Sequence, residues 1–97
     1  MIVLLARYFV KTGNVPAVLD ALTRMSREIK AHELGCVQYQ VSVSTEHPQQ
    51  VLLYEVYSGE PALQHHRETA HFKSIIEGEI VPMLEKRERE ILEVKIS

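Results

Sequence analysis

Val51-Leu52-Leu53-Tyr54-Glu55-Val56-Tyr57-Ser58 runs directly into Gly59, Pro61 and then Ala62-Leu63-Gln64-His65-His66-Arg67. The first part carries apolar groups at odd and even positions alike, the pattern of a strand with both faces covered. Gly59 and Pro61 end it, and Pro61 suits the first turn of a helix, where backbone N–H groups have no internal partner. The segment therefore reads as strand, tight turn, helix. Just upstream, the polar run Ser44 to Gln50, with Pro48 inside it, reads as a loop. Before that loop, Val37, Tyr39, Val41 and Val43 alternate with Cys36, Gln38, Gln40 and Ser42, which predicts a half-buried strand. The two strands are expected to form a hairpin.

Further upstream, Val18, Leu19, Leu22, Met25 and Ile29 recur at helical spacing and predict a surface helix over 15–32. Asn14 is placed to cap its start, Pro16 fits its first turn, and Gly35 is placed to close its end in a left-handed conformation. Residues 2–10 read as another strand apolar on both faces. Downstream, a helix is expected from Pro61 to about Leu84, with a break near Thr69–His71. The last strand is placed at Arg87 to Ile96, although Glu85 to Glu90 contains good helix formers.

The resulting order, β-α-β-β-α-β, predicts an α+β fold of the ferredoxin-like kind. In it both helices lie on one face of a four-stranded antiparallel sheet. At 97 residues the chain is expected to form one domain, 1–97. Val3, Leu5 and Phe9 are placed on the face that the helices leave open, so a homodimer joined through the sheet is expected.

The formal charge is −2, and the Lys and Arg residues are scattered among acids, so no nucleic acid partner is expected. The apolar start, Met1 to Val10, is interrupted by Arg7, is too short to span a membrane and lacks a basic leader. It reads as a strand of a cytoplasmic protein. A lone cysteine, Cys36, fits a reducing compartment and reads as a packed strand thiol. There is no glycine-rich phosphate loop, dinucleotide fingerprint or serine-nucleophile motif to support an ATP, NAD or hydrolase function. The mixed-sign run Glu85 to Glu90 reads as a solvated face or as ion pairs at a dimer edge.

Chemistry is left to a few side chains. On a helix starting near Pro61, His66 falls with Ala62, Leu63 and Ala70 and should face inward, while His65 is turned about 100° away from it. A neutral imidazole beside a carboxylate or phenol exchanges a proton near neutral pH; the other reading is a buried histidine with a satisfied hydrogen bond. Glu55 shares its strand face with Val51, Leu53 and Tyr57 and needs a partner there. It either orients His66, pairs with Arg7, or reaches solvent at an edge. Tyr39, Tyr54 and Tyr57 either line an aromatic substrate pocket or pack as half-buried strand residues. His71 and Phe72 either wall that pocket or pack the helix break. His65, His66 and His71 lack the spacing of common zinc sites, so no metal is expected.

Glu55 with Tyr57 two residues on, followed by a helix with His66, then Thr69, His71 and Phe72, resembles the antibiotic biosynthesis monooxygenase family. Glu33-Leu34-Gly35-Cys36-Val37-Gln38-Tyr39 also matches that family's Glu-x-Gly-Cys-x-x-Tyr tendency. The resemblance spans nearly the whole chain. It implies a dimeric α+β barrel and oxidation of a small aromatic or quinol-type substrate by molecular oxygen, with no cofactor. In that reading His66 accepts the proton, Glu55 orients it, and Tyr39, Tyr54, Tyr57, His71 and Phe72 bind substrate. Similar domains include an autoinducer-2 phosphate isomerase, so a small-molecule isomerase and a non-catalytic ligand-binding domain are the alternatives. Where the family commonly has Trp this chain has Tyr57, and it contains no Trp, which removes any Trp-dependent substrate contact.

Overall fold

Alternation along the strands decides which residues meet the helices. The computed structural model describes residues 1–97. Its strands are β1 (Ile2–Val10), β2 (Cys36–Val43), β3 (Gln50–Tyr57) and β4 (Leu84–Glu93). They form one antiparallel sheet in the order β2-β3-β1-β4. Helix α1 (Val15–His32) follows β1, and helix α2 (Glu60–Glu68) follows β3. A π-helix (Phe72–Ile80) and one 3₁₀ turn (Val81–Met83) lead into β4. The fold is α+β and ferredoxin-like, with the helices on one face.

Ala6, Tyr8 and Val10 of β1 and Val51 and Leu53 of β3 form the floor of the core. Val18, Ala21, Leu22, Met25 and Ile29 of α1 cover them, together with Ile75, Ile76 and Ile80 of the π-helix. The apolar stripe read from the sequence is thus the buried face of α1. A smaller cluster, Leu4, Tyr57 and Leu63, continues the core beneath α2. Arg24 on α1 holds Glu79 on the π-helix through two hydrogen bonds, of 2.9 and 2.6 Å. None of the helices is long and apolar enough to cross a membrane.

Four local expectations need correction. Asn14 stands at the start of α1 in a helical conformation, and its side chain makes no capping hydrogen bond; Gly13, with φ +85°, makes the turn instead. Gly35 is not left-handed. A Cβ there would lie 2.5 Å from the Cβ of Ala62, so glycine is required by the close approach of α2. Val37 does not share the face of Tyr39, because the β2–β3 register shifts between Cys36 and Gln38. That bulge turns Val37 out to solvent and brings Cys36 over to the helix side opposite Tyr57. Finally, β4 starts at Leu84 and ends at Glu93, earlier at both ends than the Arg87 to Ile96 expected. The charged run is strand, because Lys86, Arg87, Glu88 and Arg89 pair with Phe9, Tyr8, Arg7 and Ala6 of β1, and pairing to an established strand overrides helix propensity.

The second helical region breaks as the sequence predicts. Thr69 adopts an extended conformation, its hydroxyl donates to the carbonyl of His66 (2.8 Å) and accepts from the backbone N–H of Phe72 (3.1 Å). One side chain therefore ends α2 and starts the next segment.

Candidate active site

The period of two along β3 delivers Glu55 and Tyr57 to the helix-covered face and Tyr54 to the other. Tyr57 is fully buried and its hydroxyl donates to Glu55 Oε1 at 2.6 Å. His66, from the inward face of α2, lies over this pair. Its ring centroid is 5.2 Å from that of Tyr57 and 5.2 Å from that of Phe72, which meets it edge-on; Tyr39 lies at 6.4 Å. The imidazole sits in an aromatic cage built from β2, β3 and the start of the π-helix.

The carboxylate that holds His66 is Glu33. His66 Nδ1 lies 2.8 Å from Glu33 Oε1, and His71 Nε2 lies 2.5 Å from Glu33 Oε2. His66 Nε2 is 3.7 Å from Glu55 Oε1, beyond hydrogen-bond distance. Local folding explains how Glu33 reaches the interior. Its backbone N–H closes α1 on Ile29, and its carbonyl accepts from the N–H of Cys36, so the chain reverses within one turn. Gly35 in that turn packs directly on Ala62, which lies one helical turn before His66 on the same face of α2. The missing Cβ at Gly35 lets the Glu33 turn come close enough for its carboxylate to meet the imidazole.

Burial acts on the two carboxylates with opposite results. In Glu33 burial opposes ionisation, but hydrogen bonds to His66 and His71, and then the charges of those rings, outweigh it together and hold the carboxyl below its ordinary range. Burial pushes the Glu55 carboxyl up, and the bond from Tyr57 and the nearness of His66 do not offset it. Glu33 is the ionised partner, and Glu55 retains a proton more readily. Burial, and then the charge of Glu55, also raise Tyr57 and Tyr39, so both remain neutral phenols. The Cys36 thiol is pushed up to about 11 by burial, then by Glu33 and Glu55, which leaves it protonated and poorly nucleophilic.

Six of the residues singled out in the sequence, Tyr39, Glu55, Tyr57, His66, His71 and Phe72, come together around this cluster. Tyr54 does not: it lies on the opposite face and is 38% exposed. Arg7 also faces away and bonds Gln50 at 3.0 Å, so it is not the partner of Glu55. His65 is exposed. Glu33 is the site residue missing from the sequence reading; its signal was the first position of Glu-x-Gly-Cys-x-x-Tyr. The cluster is not arranged as a metal site: both oxygens of Glu33 are taken by ring nitrogens, and no three His, Cys, Asp or Glu side chains are disposed to hold an ion.

No surface cleft opens on His66 itself. One of about 400 Å³, between α1 and β2, reaches Tyr39 beneath a rim that includes Arg27 and Lys30. Another of about 450 Å³ reaches His71 beside His32 and Ser74.

A profile of the family described as antibiotic biosynthesis monooxygenase matches residues 1–78. No curated protein matches the sequence. A conserved protein from Methanosarcina mazei Go1 has a similar structure, with a TM-score of 0.89 and 27% identity over 97% of this chain and 92% of that one. A Nitrosomonas europaea protein provisionally described as an antibiotic biosynthesis monooxygenase is 27% identical, with a TM-score of 0.85, over 97% of this chain and 98% of its own. A Caulobacter crescentus CB15 protein with the same provisional description superposes with a TM-score of 0.91 over 98% of this chain and 90% of its own; at 24% identity it speaks to fold alone. The profile match covers Glu33, Glu55, His66 and His71 together with most of the sheet that positions them, and on that ground the chain belongs to the antibiotic biosynthesis monooxygenase family.

Proposed function

We propose that residues 1–97 act as one domain of a cofactor-independent monooxygenase that oxidises a small phenol or quinol-type compound with molecular oxygen. The observation that carries this reading is the buried Glu33–His66 pair at 2.8 Å, whose imidazole lies among aromatic rings with its outer nitrogen free of any hydrogen bond. His66 Nε2 takes the phenolic proton, and the electron-rich phenolate ring carbon then bonds to one atom of O2. The imidazolium returns its proton to the outer oxygen, giving a hydroperoxide on a carbon that still bears hydrogen. Loss of that hydrogen with the outer hydroxyl, as water, leaves a quinone carbonyl. The substrate supplies all four electrons, one oxygen atom stays on the ring, and the other leaves as water. Glu55, which keeps a proton more readily than an ordinary carboxyl, is the acid beside the leaving hydroxyl.

Tyr39, Tyr57 and Phe72 supply apolar surface for an aromatic ring. Access runs through the cleft between α1 and β2, whose Arg27 and Lys30 attract an acidic phenol and whose inner wall is Tyr39. The cage must open on its Tyr39 side for a ring to reach Nε2. Oxygen uptake with a panel of phenols and hydroquinones tests this function: consumption of one O2 per substrate supports it. Proton exchange on carbonyl compounds without oxygen uptake would replace it with an isomerase, and binding without turnover would replace it with a ligand-binding domain.

The active species in this proposal is a cytoplasmic homodimer. On the open face Leu5, Leu52, Tyr54 and Leu92 remain partly or largely exposed around the already buried Val3 and Val56, and a small domain gains buried core by pairing such a patch with its copy. Sedimentation equilibrium that finds only monomer at micromolar concentration would refute the pairing.

A further inference from the structure

We propose that Glu33 is the positioning residue of the site: it fixes His66 as the Nδ1–H tautomer with Nε2 bare, and through its second oxygen it ties that buried ring to His71 at the surface. The role of Nε2 as proton acceptor rests on the monooxygenase reading; the tautomer assignment does not.

An ionised carboxylate accepts hydrogen bonds and donates none. Each Glu33 oxygen lies within hydrogen-bond distance of a ring nitrogen, so each of those nitrogens carries its hydrogen. A neutral imidazole has one N–H. His66 therefore donates from Nδ1, and its Nε2 lone pair is left free on the Glu55 side, 3.7 Å from Oε1, the reverse of the tautomer that a free histidine side chain prefers. Glu55 does not perform this task, being 3.7 Å from Nε2 and occupied by the Tyr57 hydroxyl. When His66 gains a proton, the buried counter-charge is already hydrogen-bonded to it.

The second oxygen prevents Glu33 from rotating away. His71 donates to it from Nε2, and the His71 side chain is 11% exposed against 3% for His66, so it forms the rim of the cluster. Its ring stacks on His32 at 6.2 Å. One carboxylate at the end of α1 thus pins both α2 and the start of the π-helix.

Nitrogen-15 NMR of the imidazole rings tests the assignment without an activity measurement. In the native protein His66 should show a protonated Nδ1 and a bare Nε2, and His71 a protonated Nε2. Glu33→Gln has one acceptor oxygen and one donor amide, so it satisfies only one ring as before; one of the two histidines should change tautomer while the other keeps it. Glu33→Ala should return His66 to the Nε2–H form. A native His66 in the Nε2–H form overturns the proposal, as do unchanged tautomers in both variants; if Glu33→Ala fails to fold, the native spectrum and Glu33→Gln decide. With a turned-over phenol, Glu33→Gln should lower kcat about 10–100-fold with KM nearly unchanged, the effect of losing a hydrogen-bonded positioning group. The assigned tautomer in a protein that consumes no oxygen would sink the monooxygenase reading and leave the positioning role intact.

Discussion

The two faces of the sheet are built by the same strands and do different work. Along β3, Leu53, Glu55 and Tyr57 point under the helices, while Leu52, Tyr54 and Val56 point the other way. The covered face holds two carboxylates and a histidine almost without water; the open face is apolar at its centre and charged at its β4 edge, where Lys86, Glu88 and Glu90 stand. Burial and fixed partners together shift the proton affinities of the groups on the covered face. The proposed chemistry therefore falls on the covered face, and the proposed association on the open one. A period of two lets one short segment serve both.

The largest expected effect separates two neighbours on α2. His66→Ala should lower turnover about 10²–10⁴-fold, the usual contribution of a proton-transfer group, whereas His65→Ala, on the exposed side of the same helix, should stay within about twofold of the native rate. Steady-state oxygen uptake reads both. Equal losses would mean that inward and outward positions on α2 do not differ in function.

Next in size is a test by adjacent leucines. Leu53→Ala removes a fully buried side chain from the main core and should cost about 2–5 kcal/mol in urea unfolding. Leu52→Ala, on the open face, should cost under about 1 kcal/mol when the protein is dilute, because it opens no cavity under the helices. Its main effect should be on association, seen as a shift of the sedimentation midpoint to higher concentration. If Leu52→Ala proves as costly as Leu53→Ala at every concentration, the open face is packed within one chain.

Gly35→Ala probes the join between the faces and the site. Its new methyl group would meet Ala62 at 2.5 Å, so α2 must shift or the turn must open, at about 1–3 kcal/mol. Ala62→Gly in the same chain should recover part of the loss by removing the opposing methyl, whereas Gly13→Ala, strained by its φ of +85° but in open space, should not respond to the Ala62 change. Urea unfolding of these variants decides.

The element order, the α1 stripe and the Thr69 break were legible because each depends on local periodicity or on a single residue's chemistry. Inward placement of His66 followed in the same way from helical spacing. The residues misread depend on neighbours distant in sequence. Gly35 was given a left-handed conformation because helices often end so, yet its real constraint is Ala62, on another element. Val37 followed the alternation until a bulge, which pairing with β3 imposes, reset the face. Tyr54 was grouped with Tyr57 by residue type, although their spacing already put them on opposite faces. Glu33 was hidden differently. Its place in the Glu-x-Gly-Cys-x-x-Tyr pattern marks it, but that it points inward depends on the docking of its turn against α2.

The smallest expected effect compares the two buried carboxylates, and here the sign of the pH dependence carries the information. Glu33 is held below its ordinary range in the folded chain, so it releases its proton more readily there than when unfolded. Its contribution to stability is present above the ordinary carboxylate value and is lost as pH falls through the depressed one. Glu33→Gln should therefore be less stable than the native protein at neutral pH, and the gap should close as the solution becomes acidic. Glu55 is raised by burial, so its protonated form suits the fold. That contribution is present below the ordinary carboxylate value and is lost as pH rises through the raised one. Glu55→Gln keeps an acceptor for the Tyr57 hydroxyl and does not ionise, so relative to the native protein it should gain stability as pH rises. Urea unfolding of the three proteins across the acid to neutral range gives two difference curves, and their opposite slopes are the expected result. Slopes of the same sign would show that burial, and not the histidine pair, controls both carboxylates, and that Glu33 is not the charged partner of His66.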